Sequence, residues 1–261
     1  MAETKTALIV VRTYPVPARR GVEVSCTAAI TDKGEWLRLF PVPYRRLRPE
    51  QRFSKYQRIE VEVARANDPR PESYKIFSDS IRIVGDVPPD NEWQARKDVI
   101  LALKSESMCA IQKQRDDYGS PTLGIFKPTI KRLIIEPAES PNWSQDELAA
   151  LGQRDLFDDG PPSELEKIPF DFRYEYRCSD PSCKGHSMKC TDWEMCQSWR
   201  SWRTKYGTNW EEPFRLRYEQ EMIQKFDTHF YVGTLHKHPS AWIIVGLFYP
   251  PKSRLPLFPG A

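Results

Sequence analysis

Apolar and polar positions alternate most clearly over residues 56–66, where Ile59, Val61 and Val63 are interleaved with Glu60, Glu62 and Ala64. A period of two turns one set toward a core and the other toward water, which predicts a half-buried strand. Shorter stretches of the same kind surround it. Residues 7–11 form an apolar run, 22–30 are rich in β-formers, and 35–40 alternate, with Trp36, Leu37 and Leu39 competing for the core side. Asp32-Lys33-Gly34 is a turn, so 22–30 and 35–40 read as a hairpin. Residues 74–77 and 80–84 add a further pair. Five or so short strands at close spacing predict a small barrel of the OB or SH3-like kind.

The period then changes. Trp93, Lys97, Ile100, Leu101 and Lys104 fall on one helical face after Pro88-Pro89, with Asp90 or Asn91 as the cap, and a second short helix is predicted over 107–113. β character returns at 122–126 and 130–135. Residues 136–168 are rich in Glu, Asp, Pro and Ser and read as a linker with one helix at 144–151, where Ser144 and Glu147 make a capping-box pattern. Phe172, Tyr174 and Tyr176 alternate with Arg173, Glu175 and Arg177 in a strand at 170–177. A helix at 192–205 carries Trp193, Cys196, Trp199 and Trp202. Phe214, Tyr218, Met222 and Phe226 recur at every fourth position in another helix. Two strands, 230–235 and 241–249, close the pattern. No internal repeat is visible.

The expected fold class is therefore α+β: an N-terminal small β-barrel followed by a C-terminal α/β unit with a zinc-knuckle-like loop. The expected divisions are a basic barrel at 1–88, a helical connector and strands at 89–135, an acidic linker at 136–169 and an α+β unit at 170–261. No apolar run approaches the roughly 20 residues that span a bilayer. No apolar signal segment precedes the first strand, so a cytoplasmic location is expected.

Charge sharpens this picture. Residues 1–66 hold 13 Lys/Arg against 7 Asp/Glu, whereas 136–171 hold 2 against 10. A basic front with an acidic hinge suggests a polyanion-binding face that the hinge can shield. Within that front, Trp36, Arg38, Tyr44, Arg45, Arg46, Arg48, Arg52, Lys55 and Arg58 interleave cations with π-faces. Single strands are bound in this way, bases stacking on aromatics and phosphates meeting cations.

Four of the six cysteines and one of the four histidines fall between Cys178 and Cys196. Cys178, Cys183 and His186 have the spacing C-x4-C-x2-H, with Gly185 allowing a tight turn. These are three candidate ligands for zinc, which takes tetrahedral N/S sets, and either Cys190 or Cys196 is the expected fourth. An iron–sulfur cluster on Cys178, Cys183, Cys190 and Cys196 is the alternative cofactor, although the spacing matches no standard motif. Cys26 and Cys109 stand apart and read as buried small hydrophobes. Asp192 and Glu194, together with His236 from the His236-Lys237-His238 turn, offer a divalent-cation site for phosphodiester cleavage. If Asp192 and Glu194 instead begin a helix, they complement its dipole. No glycine-rich phosphate loop is present, so nucleotide hydrolysis is not expected.

Thr13-Tyr-Pro, Cys26-Thr-Ala, Trp36-Leu-Arg-Leu-Phe-Pro, Lys55-Tyr-Gln and Asp68-Pro-Arg-Pro-Glu-Ser73 carry a resemblance to poorly characterised bacterial proteins described as dual OB-containing. The Cys178–Glu194 stretch and the segments at 230–234 and 242–251 belong with it. The resemblance implies a role with nucleic acid, in antiviral defence against phage or mobile DNA, and brings no catalytic residues. The leading expectation is thus a zinc-containing protein that binds single-stranded or structured DNA or RNA. A metal-dependent nuclease using Asp192, Glu194 and His236 is the rival, and a protein–protein adaptor or homo-oligomer the third.

Overall fold

The computed structural model describes residues 2–18, 22–152, 164–236 and 238–252. Its first half is built from β1 (Ala2–Arg12), β2 (Val16–Ala18), β3 (Val22–Thr31), β4 (Trp36–Val42), β5 (Gln57–Arg65), β6 (Ser73–Ile76) and β7 (Arg82–Asp86). Hydrogen bonds run in the order β1-β3-β4-β6-β5, and β5 pairs back onto β1, so five strands close into a barrel. The β4/β6 pair is parallel and the others are antiparallel. β1 closes the ring by serving twice: residues 2–8 pair with β5 and residues 7–12 with β3. A register shift between Ile9 and Val11 marks where the strand turns the corner. β2 and β7 are additions, on β3 and β5.

The barrel is filled by Ile9, Leu37, Leu39, Phe53, Ile59, Val61 and Val63. β5 alternates as its sequence does, because its outer face meets water. β1 does not. Ala7–Val11 are buried without a break, since Ala7 and Ile9 point into the barrel while Leu8, Val10 and Val11 point into a second core. A continuous apolar run is the signature of a strand covered on both sides.

What covers it is the second half, made of β8 (Lys104–Ser105), β9 (Leu123–Phe126), β10 (Thr129–Pro137), β11 (Phe170–Arg177), β12 (His186–Cys190), β13 (His229–Thr234) and β14 (Trp242–Phe248). Their order is β10-β11-β12-β14-β13-β9-β8, with a parallel β12/β14 pair. If β9 and β10 are taken as one strand interrupted at Lys127-Pro128, this repeats the order of the first half, down to the parallel pair between its third and fifth members. The strand at 186–190 lies where the sequence suggested only a loop, because its alternation is masked by Cys and His.

Helices fill the connections. α1 (Asp90–Ile100) links the halves; its residues Asn91, Glu92 and Trp93 have positive φ, which turns the Trp93 ring onto Tyr56 and Phe248. α2 (Met108–Tyr118) is capped by Ser107, and α3 (Gln145–Leu151) carries the capping box of Ser144 and Glu147. α4 (Trp193–Tyr206) and α5 (Glu211–Arg215, continuing through a π-helical stretch at Leu216–Glu221 to Met222–Gln224) lie between β12 and β13. Trp199, Phe214 and Tyr218 from these helices pack on Phe172 and Tyr174 to form an aromatic core. No helix among the described residues is long and apolar enough to cross a membrane.

Candidate metal centre and the junction between halves

The turn between β11 and β12 closes around sulfur. Cys183 N donates to Asp180 O at 3.0 Å, and the Cys183 Sγ accepts from the backbone N–H of Cys178 at 3.3 Å and of Gly185 at 3.4 Å. Gly185 has φ +96, a conformation that glycine adopts freely. The turn thus presents Cys178, Cys183 and His186 to one point. The fourth group comes from elsewhere. Cys109, in the first turn of α2, brings its thiol to the same place, so that the four ligand atoms all lie within 4.8 Å of one another.

This is a correction to the expected ligand set. Cys190 lies four residues beyond His186 on β12, about 13 Å along an extended strand. It and Cys196 are buried in the aromatic core, where Asp192 lies near both thiols. The four-thiolate set for an iron–sulfur cluster is therefore not assembled. Cys109, expected to be an isolated hydrophobe, is the group that completes the cluster. Nothing local marks it, for it is 69 residues from Cys178; the signal that points to it is a three-ligand knuckle with no fourth donor in reach.

Geometry and protonation suit a cation. His186 Nε2 is 3.4 Å from both Cys109 Sγ and Cys178 Sγ. A tetrahedral ion with metal–sulfur bonds of about 2.3 Å and metal–nitrogen bonds of about 2.0 Å has sulfur–nitrogen edges of roughly 3.5 Å. The set is consistent with zinc. Burial, then Cys178 and Cys183, pushes the Cys109 thiol up to about 12. Burial also raises Cys178, partly offset by backbone N–H groups of Cys109 and Met108. Cys183 goes the other way: burial would raise it, but the N–H groups of Cys178 and Gly185 bring it below the usual thiol range. Burial lowers His186, which keeps the imidazole neutral, and its ring stacks on Tyr176 at 5.0 Å. The thiols that resist ionisation beside one another are the ones a divalent ion deprotonates.

The residues expected to cleave phosphodiesters are not gathered together. Asp192 caps α4: its Oδ1 accepts from Met195 N at 3.0 Å and its Oδ2 from Leu247 N at 3.2 Å. Glu194 Oε2 accepts from Lys55 Nζ and from Tyr249 OH, each at 3.3 Å. His236 instead faces Asp68, with Nδ1 3.3 Å from Oδ2. Among the described residues these three form no group able to share an ion.

Two of the expected nucleic-acid contacts also have other work. Arg38 is 2% exposed; its Nη2 donates to Glu72 Oε1 at 3.1 Å and to Thr122 O at 2.8 Å. Lys55, with a side chain 7% exposed, donates to Leu247 O at 2.7 Å and lies beside Glu194 and Asp192. Together with Arg70, which donates to Thr234 O at 2.9 Å, these cations of the first half each end on a backbone carbonyl of the second. Trp36 packs edge-on against Tyr231 at 6.2 Å. Arg38 and Lys55 are junction clamps, not surface groups. Gly246 permits the approach, since a Cβ there would lie 3.0 Å from Val11 Cγ2.

Tyr44 also reaches the second half, its ring edge-on to Trp193 of α4 at 5.2 Å. Tyr44 donates to Phe53 O at 2.7 Å and lies under the Arg12 guanidinium at 4.3 Å. Arg45 pairs with Glu23 at 2.9 Å, Arg46 is half-buried, Arg48 is exposed beside Glu50, and Arg52 donates to Leu47 O at 2.8 Å and Arg45 O at 3.3 Å. These four arginines occupy one connection between β4 and β5. Arg58 pairs with Asp32 across the barrel wall.

A family model for a domain of unknown function, DUF8757, matches residues 104–259. The chain belongs to this family. A second model, DUF8758, also a domain of unknown function, matches residues 3–102, so the two matches meet just before β8. No curated protein matches the chain. Among solved structures, one described as "Structure of murine DNA binding protein bound with ds DNA" aligns over 98% of this chain and 100% of that one, with 8% identity and a TM-score of 0.35.

Proposed function

We propose that this DUF8757 protein is a zinc-containing nucleic-acid-binding protein made of two OB-like units. The observation that carries the reading is the strand order. Numbered within each half, both halves run 1-2-3-5-4 and return to the first strand, with strands 3 and 5 parallel. Five-stranded Greek-key barrels of the OB kind bind oligonucleotides on the strand 2–3 face and its adjoining loops. Fold alone does not assign function, so the side chains must supply the rest.

They supply it unevenly. In the first half the strand 2–3 face is taken up in part by the second half, through Trp36 and Arg38. The connection between β4 and β5 also holds Arg48 and Arg52, both exposed and both planar donors suited to phosphates. In the DUF8757 half the outer face of β10–β12 carries Lys131, Arg132, Arg173 and Lys189 against Glu136, Asp171 and Glu175. Zinc at Cys109, Cys178, Cys183 and His186 would fill all four positions of a tetrahedron with protein ligands, and such closed sites are structural. It holds the β11–β12 turn against α2.

The test is direct binding of labelled single-stranded and duplex oligonucleotides to the full chain at salt from about 50 to 200 mM. Affinity should fall steeply with salt. The double variant Arg48→Ala, Arg52→Ala should lower the slope of log K against log salt by about 0.7 per lost phosphate contact on a single strand. Absence of binding to every nucleic acid at the lowest salt would end this reading.

A further inference from the structure

The segment Asp68-Pro-Arg-Pro-Glu-Ser73 leads into β6, and backbone and side chain together place its Glu72. Arg38 N donates to Glu72 O at 2.8 Å, beside the parallel β4/β6 pair. Glu72 Oε1 accepts from Arg38 Nη2 at 3.1 Å and from the hydroxyl of Thr122 in the second half. Its other oxygen, Oε2, accepts from no group among the described residues, yet it is not closed off from solvent, and the side chain stays 8% exposed. Glu72 lines a cavity of about 400 Å³ between the two halves, walled by the Trp36 ring and by Pro71 and Pro121. Lys5 lines the same cavity. Its ammonium lies 4.9 Å from the Tyr74 ring centroid and 3.2 Å from Glu3 Oε2, and among the described residues it pairs with neither Glu72 nor Glu35 at the rim. An acid and a base that share a cavity without meeting leave room for a molecule that joins them.

We infer that this cavity binds a free α-amino acid with an apolar side chain, its ammonium donating to Glu72 Oε2 and its carboxylate accepting from Lys5. The side chain lies against Trp36, Pro71 and Pro121. The site is separate from the arginines assigned to phosphate above and does not rest on the nucleic-acid reading. Charge decides the class of ligand. A phosphate or a lone carboxylate would meet Glu72 inside and the exposed Glu35 at the rim. A simple amine would answer Glu72 and bring nothing for Lys5. A zwitterion satisfies both, and hydrogen bonds between ionised groups are the strong ones. The existing partners leave capacity for it. A carboxylate accepts at both oxygens, so Arg38 and Thr122 on Oε1 leave Oε2 for a new donor, and an ammonium with three donors can serve Glu3 and a ligand together. Size agrees as well. About 400 Å³ lies near the lower end of the roughly 300–1,000 Å³ of small-molecule sites, enough for one amino acid and too little to enclose a peptide.

The experiment titrates the full chain with L-leucine and L-phenylalanine, and with two capped forms of the latter. N-acetyl-L-phenylalanine lacks the ammonium, and L-phenylalanine amide lacks the carboxylate. The amino acids should bind with a Kd below about 1 mM, and each capped form at least about tenfold more weakly than L-phenylalanine. Glu72→Gln should narrow the gap between L-phenylalanine and its N-acetyl form, and Lys5→Gln the gap between L-phenylalanine and its amide. Because Glu72 also holds Arg38, Lys5→Gln keeps the test open if Glu72→Gln does not fold; the Lys5 side chain is 19% exposed and touches neither Arg38 nor Glu72. No binding of either amino acid up to about 10 mM would overturn the inference. Equal affinity for the amino acid and both capped forms, or parent-like selectivity in Lys5→Gln, would overturn it too.

Discussion

The two halves share a strand order and reach it by different means. In the first, one unbroken strand, β1, pairs with β5 through its first residues and with β3 through its last, so hydrogen bonds alone close the ring. In the second, the same job is divided between β9, which pairs with β13, and β10, which pairs with β11, across Lys127-Pro128. Proline has no N–H to donate, so the ladder breaks there. The first half is filled with aliphatic side chains on its strands. The second relies on helices α4 and α5 laid over an aromatic face, and on a Cys/His cluster that ties α2 to the β11–β12 turn. A barrel that closes itself needs no staple; one whose first strand is split gains from one.

The sharpest way to break this comparison is to remove the staple. Cys109→Ala or Cys178→Ala should release the metal, from one ion per chain to none by elemental analysis. Structural zinc contributes on the order of 10 kcal/mol in small peptides. With a large aromatic core to share the load, we expect a loss of several kcal/mol, or on the order of 10 °C in Tm, confined to the DUF8757 half. Limited proteolysis should then cut near residues 106–110 and 178–186 before it cuts the first barrel. Retention of the metal by both variants would show that the cluster is not its site.

The local elements of both halves were legible in the sequence, and their relationship was not. The alternation of Ile59, Val61 and Val63 gave β5, and that of Phe172, Tyr174 and Tyr176 gave β11, because each strand has one wet face. The capping box at Ser144 and Glu147 is present as its spacing implied. The repeated topology left no sequence repeat, since one half packs aliphatics inside and the other aromatics. The same blindness affected the charges. Arg38 and Lys55 look like any other cation in an Arg-rich stretch, and only the docking of the second half reveals that each is buried against a carbonyl. Cys109 was hidden for a related reason: metal ligands converge in space, and a helix start 69 residues away carries no spacing rule.

A middle-sized effect tests the junction that makes the halves one unit. Desolvation alone would lower the Lys55 ammonium, but Tyr56, Glu194, Asp192 and Tyr249 outweigh it and hold its pKa well above the lysine range. Lys55→Met leaves Asp192 and Glu194 without their cation, and breaking a buried pair in this way costs about 3–5 kcal/mol. The pH dependence has two limbs. Because the folded pKa of Lys55 is raised, its contribution is complete below the ordinary lysine value of about 10.4 and is lost as pH rises through the folded value. Glu194 is lowered: burial would raise it, but Lys55 and the Tyr249 hydroxyl prevail, so its contribution is present above about pH 4.3 and disappears as pH falls through its folded value. Asp192 opposes this acid limb, since burial raises it and protonation there favours the folded state. Burial raises the Tyr56 and Tyr231 hydroxyls as well, so they too lose stability at high pH, and chemical denaturation above about pH 10 should show a steeper loss in the parent than in Lys55→Met. An unchanged alkaline limb in the variant would mean that Lys55 does not hold the halves together.

The smallest effect separates the two kinds of cysteine in the second half. Cys190 is on the same strand as His186 and was an equal candidate for the metal by sequence, yet it is buried in the aromatic core opposite Phe172. Cys190→Ala removes one sulfur from a packed core and should cost about 1 kcal/mol, within the common range for such truncations. Its metal content should stay at one ion per chain, where Cys109→Ala brings it to none. The pair of variants thus asks whether the ligand is chosen by position along the chain or by convergence in space. Loss of metal from Cys190→Ala with retention in Cys109→Ala would return the fourth ligand to β12 and detach α2 from the cluster.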